Sequence, residues 1–233
     1  LDWAGNRLAA QGAFGGRAGK ADDVLDWSLD ARRLAPLRAL TGLDLAGRIS
    51  GSGRLAGTPE APFGTLTLAT RALRLGDLGS VASADVSAEL APGADGRMTL
   101  KLAAADLRSP SAPAPIEAVR LDIDGTRASH RLSASVKLAD QPAERGDAPL
   151  RQSLELAAQG ALLSSGDGPS WAGRIDQLVL VLSPELSATL VRPASLSASA
   201  RRVALDDATL ALTGGGAVVF ARTLWTPERL DAS

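Results

Sequence analysis

The chain of 233 residues has no cysteine, no tyrosine, one histidine, one methionine and only three phenylalanines. Without cysteine there are no disulfides and no thiolate metal ligands, and a lone His130 cannot build a multi-histidine site, so any metal would need an all-oxygen shell. With no tyrosine and so little phenylalanine, the aromatic girdles of an outer-membrane barrel cannot be supplied, and a packed core would be built with few large rings. Also missing is any apolar run near the ~20 residues of a membrane helix; the longest, Leu178 to Leu182, is strand-sized. An excess of one charge is absent too. Lys+Arg 25 stand against Asp+Glu 26, scattered singly, which excludes the basic stripe of a nucleic-acid binder. The preference for Arg over Lys, beside abundant Ala and Gly, is read as the mark of a GC-rich genome rather than of phosphate recognition. No signal peptide is visible, and the chain opens on Leu1 in mid-pattern without an initiator Met. That is the expectation for an internal piece of a longer protein whose targeting and anchor segments lie elsewhere.

What is present is alternation. With 45% hydrophobic residues, mostly Ala, Leu and Val, the chain is apolar enough to fold as one large domain or two small ones. From Thr41 to Leu75 polar and apolar residues alternate with the period of a strand that has one wet face. Leu43, Leu45, Ile49 and Leu55 share their parity with Gly47, Gly51 and Gly53, while Asp44, Arg48, Ser50, Ser52 and Arg54 take the other. Glycine on a dry face implies a close backbone approach, a bend, or a ligand against the sheet.

The same grammar runs through the rest. Leu1 to Phe14 reads as a hairpin turning at Gly5-Asn6, and Val24 to Leu29 as a strand. Asp30 to Leu40 has helical spacing at Leu34, Leu37 and Leu40, with Asp30 as a candidate cap and Pro36 limiting it to a turn or two. Further strands are expected at Ala82 to Leu90, Met98 to Leu102, Ala118 to Ile123 before an Asp124-Gly125 turn, Leu132 to Leu138, Leu150 to Ala158, Gly173 to Leu182, Glu185 to Val191, Leu196 to Leu205, Thr209 to Leu212 and Ala217 to Ala221. The Pro-rich stretches 109–115 and 141–149 interrupt as loops. About fifteen short strands and at most one short helix make an all-β protein, whether sandwich, closed barrel or open elongated sheet.

Motifs for chemistry are scarce. No Gly-x-Ser-x-Gly elbow occurs, and Gly51-Ser52-Gly53-Arg54-Leu55-Ala56-Gly57 misses the dinucleotide fingerprint and lies inside a strand pattern instead of opening a helix. The acidic pairs Asp22-Asp23, Asp206-Asp207 and Asp122/Asp124, with Asp26, read as solvated carboxylates, and His130 as a strand residue bonded locally. No catalytic, metal or cofactor site is assigned. What remains is an aliphatic face: Leu43, Leu45, Ile49, Leu55, Leu66, Leu68, Leu73, Leu75, Leu100, Leu102, Leu121, Ile123, Leu132, Val136, Leu154 and Leu156. Residue physics leaves two uses open, a sandwich core or a smooth, shallow groove for acyl chains. Trp3, Trp27, Trp171 and Trp225 are expected to cap the ends of that face.

The motifs LDWAGNRLAAQGAFGGRAG, DWSLDARRLAPL, GLDLAGRISGSGRLAGTPEAPFGTLTLATRALRLG, GTRASHRLSAS and GPSWAGRIDQLVLVL, in that order and with Trp3, Gly5, Asn6, Trp27, Gly57, Pro62, His130, Trp171 and Gly173 in place, resemble the C-terminal region of TamB-type proteins, an AsmA-like family. The resemblance spans nearly the whole chain. It implies one elongated sheet over 1–233, folded into a U-shaped β-taco with an apolar groove, in a periplasmic protein anchored in the inner membrane of a Gram-negative bacterium outside this segment. It further implies phospholipid acyl chains as cargo and an Omp85-family, TamA-like partner in the outer membrane. Two functions follow: phospholipid transport between the membranes, in which the glycines would keep the groove floor open, or assembly of outer-membrane proteins and autotransporters by strand addition. A structural sandwich or adhesin domain is the third.

Overall fold

Alternation at period two becomes long antiparallel strands, because a strand with one polar and one apolar face is stable only beside another of the same phase. The computed structural model describes residues 1–15, 23–59, 61–110, 114–140, 150–165, 168–226 and 229–232. The Pro-rich segments 111–113 and 141–149, and Asp22, lie outside the described residues. The chain divides into two compact units, Leu1–Asp122 and Ile123–Ser233, both all-β.

In the first unit the strands are β1 (Asp2–Trp3), β2 (Asn6–Gly12), β3 (Val24–Ala31), β4 (Leu45–Thr58), β5 (Ala61–Leu75), β6 (Ser80–Leu90) and β7 (Arg97–Arg108), each antiparallel to the next. Strand β8 (Ile116–Thr126) carries the chain into the second unit, where β9 (His130–Leu138), β10 (Ser153–Ser165) and β11 (Gly168–Val181) pair in order. Both β12 (Ser187–Leu190) and β13 (Ala194–Ser199) pair with β11 on one side and with β14 (Arg202–Leu212) on the other, and β15 (Ala217–Thr226) and β16 (Arg229–Ala232) follow.

The long alternating stretch is a hairpin of 14- and 15-residue strands turning around Pro59. Several boundaries differ from expectation. The first hairpin turns at Ala4-Gly5, both with positive φ (51° and 81°), as a two-residue turn of matching twist requires; Asn6 opens β2 instead. Asp124-Gly125 lies inside β8, and the turn comes later, where the Thr126 N–H donates to Ser129 O at 2.7 Å. Leu196 to Leu205 is two strands, because the chain reverses at Ala200-Arg201, and Thr209 to Leu212 belongs to β14. The helical segment is a 3-10 turn, Ala35–Leu37, running into the four-residue α1 (Arg38–Thr41), which Gly42 closes by donating its N–H to Arg38 O. Asp30 caps nothing: it sits in β3 and takes Arg32 Nε at 2.9 Å.

A one-residue slip would turn every later side chain to the opposite face. Along β5 the half-buried leucines are Leu66 and Leu68, then Leu73, a change of parity. The β4–β5 ladder shows why: Ala46 faces Arg74 but Arg48 faces Arg71, so β5 carries one extra residue opposite Gly47. Ala72 takes a positive φ of 50° there, and Asp106 a φ of 51° on β7. Between its Val81–Leu107 and Ser83–Ala105 pairs the β6–β7 ladder leaves out Ala82 and Asp106, so the irregularity crosses β5, β6 and β7 at one level. Such bulges bend a strand and increase its twist. In the second unit β11 likewise carries an extra residue, Asp176, and Asp207 has φ 59° on β14.

Gly47, at φ 106°, leaves no room for a Cβ, which would stand 2.4 Å from Ala72 O. A Gly47→Ala variant is expected to lose about 2 kcal/mol or more. Gly42→Ala, at φ 70° with nothing within 4 Å, loses about 1 kcal/mol. Urea denaturation followed by circular dichroism measures both, and equal losses would refute the steric account of the bulge.

Candidate functional site

Register in the first unit places side chains in rows that cross the sheet. One runs Leu8, Leu29, Gly51, Leu68, Val86, Leu102; the next Ala10, Trp27, Gly53, Leu66, Ala88, Leu100; a third Leu25, Leu55, Gly64, Leu90, Met98; a fourth Asn6, Ala31, Ile49, Thr70, Ala84, Ala104. Past the bulge Leu45 faces Leu75, and Leu73 faces Val81, which faces Leu107. With strands ~4.8 Å apart, a row from β2 to β7 spans about 24 Å. The intervening register is polar, with Asp26 opposite Arg54 and Ser52 opposite Thr67. Ion pairs there, Arg54–Asp26 at 3.4 Å and Arg71–Asp85 at 2.9 Å, have exposed side chains and contribute up to about 1 kcal/mol each.

The apolar face is half-buried, not buried. Leu45, Ile49, Leu55, Leu66, Leu68, Leu73, Leu100 and Leu102 all keep part of their surface in solvent, as does Leu121 on β8. Among the described residues no large side chain is fully buried, and most of the buried apolar residues are alanines, such as Ala31, Ala194 and Ala208. Leu75 lies at the rim, 38% exposed. Leu43 is off the sheet: it follows α1, precedes β4 and is 46% exposed, so its parity carried no strand meaning. In the second unit Val136 faces Leu154, which faces Leu180, and Leu156 faces both Ala134 and Leu178. Leu132 faces Ala158, and Ile123 is half-buried on β8.

The glycines on this face do not leave a bare floor. Gly53 lies directly opposite Trp27, and a Cβ on it would stand 2.8 Å from that indole's Nε1; one on Gly57 would stand 2.9 Å from the Phe63 ring. In the second unit Gly160 and Gly173 face each other, and a Cβ on either would lie 2.5 or 2.7 Å from the Trp171 ring. Two of the four tryptophans thus fill glycine gaps within the face, where end-capping was expected, while Trp3 and Trp225 are exposed.

Trp171 is held by the one histidine. Its Nε1–H donates to His130 Nε2 at 2.8 Å, and His130 Nδ1 bonds Thr126 O at 2.9 Å. His130 is 4% exposed. Since Nε2 accepts and Nδ1 donates, the ring is neutral with its proton on Nδ1. Both nitrogens are committed, and the imidazole acts as an orienting post. The carboxylates Asp26 and Asp206 lie near Arg54 and Arg222, and among the described residues no three His, Asp or Glu converge on one point.

Two features escaped the sequence reading. Asn6, buried, clamps the main chain of Arg33, donating from Nδ2 to its carbonyl at 2.8 Å and accepting its N–H at 3.0 Å. Beside it an apolar hollow of about 430 Å³ lies among Trp3, Leu8, Leu29, Ala31 and Leu37. No local pattern signals the Asn6 clamp, because its partner is 27 residues away.

Residues 1–203 match the family model described as TamB, N-terminal domain. The family is the one its motifs resemble, and the domain matched is the N-terminal one where the motifs pointed to the C-terminal region. No curated protein and no solved structure matches the chain.

Trp171→Phe keeps the ring over the glycines but leaves His130 Nε2 without its donor, and is expected to cost about 1–3 kcal/mol in urea unfolding. In the double variant with His130→Phe both polar partners are gone, so the combined loss is smaller than the sum of the single losses. Additive losses would dismiss the bond as a stabilising element.

Proposed function

The chain belongs to the TamB family, a transport and assembly module of the bacterial envelope, and within that role we propose that its apolar face shields the acyl chains of glycerophospholipids in transit between two membranes. The observation that supports this is the partial exposure of rows of aliphatic side chains, Leu66, Leu68, Leu100 and Leu102 among them, with no large side chain among the described residues fully buried. A sandwich core would bury such residues fully. A face of leucine, valine and alanine has no polar side-chain groups to satisfy, so a methylene chain lies against it without a fixed register. At ~0.8 kcal/mol per buried CH₂, an acyl chain of about sixteen carbons has on the order of 10 kcal/mol to gain.

On this reading the face belongs to a β-taco, worked from the periplasm between an inner-membrane anchor outside this segment and a TamA-like partner of the Omp85 family. Among the described residues no helix is long and apolar enough to cross a membrane. Catalysis has no part in this reading.

One observation favours the second reading, assembly of outer-membrane proteins by strand addition. Strand β1 pairs with β2 only at Asp2–Arg7 and Trp3–Asn6, which leaves the outer edge of Ala9–Gly12 without a β-partner among the described residues. A free edge of this kind accepts an extended segment through main-chain hydrogen bonds. The Leu8 N–H points outward, to Leu1 O at 2.8 Å, and the Ala13 N–H points inward, to Val24 O at 3.1 Å. By the period of two, the Ala10 N–H points outward with that of Leu8.

Phospholipid bound to the purified chain, counted by mass spectrometry, separates the two. Leu68→Arg and Leu102→Asp, at half-exposed sites, are expected to remove most of the bound lipid while far-UV circular dichroism stays unchanged. Folded variants that retain the parent's lipid load would sink the groove. Ala10→Pro removes an outward donor and leaves the β2–β3 ladder its own; on the strand-addition reading it loses crosslinks to nascent outer-membrane strands and keeps its lipid.

A further inference from the structure

Four arginines of the first unit, Arg32, Arg33, Arg48 and Arg71, line two hollows of about 510 and 600 Å³ at the level of the β5 bulge. Two of the four are balanced. Arg32 Nε meets Asp30 Oδ2 at 2.9 Å, and Arg71 Nη2 meets Asp85 Oδ1 at 2.9 Å. Arg33 and Arg48 are exposed and make no ion pair among the described residues. The hollows therefore carry two uncompensated positive charges.

The arrangement is fixed rather than incidental. Arg48 and Arg71 lie directly opposite each other across the β4–β5 ladder, where Cβ atoms stand about 5 Å apart and like charges are destabilising. Ala31 faces Ile49 at the end of β3, so Arg32, the next residue, comes alongside Arg48 as a third in the row. Arg71 is oriented by donating from Nη1 to Thr70 O at 2.7 Å as well as by Asp85. The backbone of Arg33 is pinned by both ends of the Asn6 amide. Unpaired guanidiniums that line the same hollow, as Arg33 and Arg48 do, favour a planar or tetrahedral oxyanion, which they take by forked hydrogen bonds.

We propose that these hollows form a binding site for a phosphate group, free or as the phosphoester of a lipid headgroup, held chiefly by Arg33 and Arg48. The excess of arginine, which composition alone assigns to genome bias, has at this place a local use. The site faces the polar register and needs no acyl groove, so it stands or falls separately from lipid shielding.

Isothermal titration of the chain at constant ionic strength tests it, with sodium phosphate, dihexanoyl phosphatidic acid below its micellar concentration, and chloride as the reference anion. Saturable heat with phosphate and none with chloride is expected. Arg48→Gln and, separately, Arg33→Gln weaken binding about tenfold, and without phosphate Arg48→Gln melts no earlier than the parent, since a like-charge pair is gone. Tighter binding of the short-chain lipid than of inorganic phosphate identifies a headgroup as the source; equal binding identifies free phosphate. A parent chain that responds to phosphate as it does to chloride, or folded variants that bind phosphate like the parent, overturns the site. Because neither probe carries a long chain, that failure leaves the lipid-loading experiment untouched, and the reverse holds.

Discussion

Everything described in the first unit depends on keeping successive strands in phase. A sheet has a side-chain period of two, so its apolar face survives from strand to strand only if each register is held within a single residue. Here the ladder holds Ile49 opposite Thr70, Gly51 opposite Leu68 and Gly53 opposite Leu66, and the extra residue at Ala72 absorbs the slip that would otherwise send Leu73 to the polar side. Positive φ at Ala72 and Asp106, unfavourable for residues with a Cβ, is what that phase correction costs. The β5–β6 and β6–β7 ladders each leave out one residue on both strands at the same level and keep their register, so β6 and β7 follow the change of parity in β5.

A face kept in phase but with its leucines only half-buried has a packing problem wherever glycine leaves a gap in it. The indoles supply part of the answer. Trp27 over Gly53, and Trp171 over Gly160 and Gly173, lay a ring along the strand where Cβ atoms are missing, which buries aromatic surface against backbone without a partner sheet. Trp171 has its polar end satisfied by His130, so the ring is fixed in rotation as well as in place. Cross-strand pairs and ring-on-glycine contacts thus both contribute to stability, and the half-buried leucines are available for the proposed acyl contact.

Strands were legible because alternation is local, and parity grouped the aliphatic positions within each strand, Leu43 excepted. Turns were less so. Glycine permits positive φ without making a turn, and at Gly125 that place is inside a strand, while the reversal at Ala200-Arg201 has neither glycine nor proline to announce it. Leu43 fitted the parity of β4, yet the chain is still leaving α1 there. The half-burial of the face was out of reach of periodicity, which reads the same for a sealed core as for a groove, because burial depends on what stands opposite. Ring cover over the glycines was equally hidden, since Trp27 and Gly53 meet only once β3 and β4 have found their register.

The phase correction also joins the two faces of the sheet. Had β5 continued with Ala72 paired regularly instead of bulged, in the register that pairs Ala46 with Arg74, Arg48 would face Ala72 and Arg71 would face Ile49. The apolar row would be broken by a guanidinium, and the two arginines would be apart. Leaving that residue out of the pairing sets Thr70 opposite Ile49 and, by the same step, Arg48 opposite Arg71. Like charges opposed in this way are a cost that the apolar face imposes on the polar one. Asp85 offsets part of that cost at Arg71, and on the proposed reading a phosphate held by Arg48 and Arg33 would offset it at Arg48, so that the step that keeps one face of the sheet apolar also sets the charge of the other.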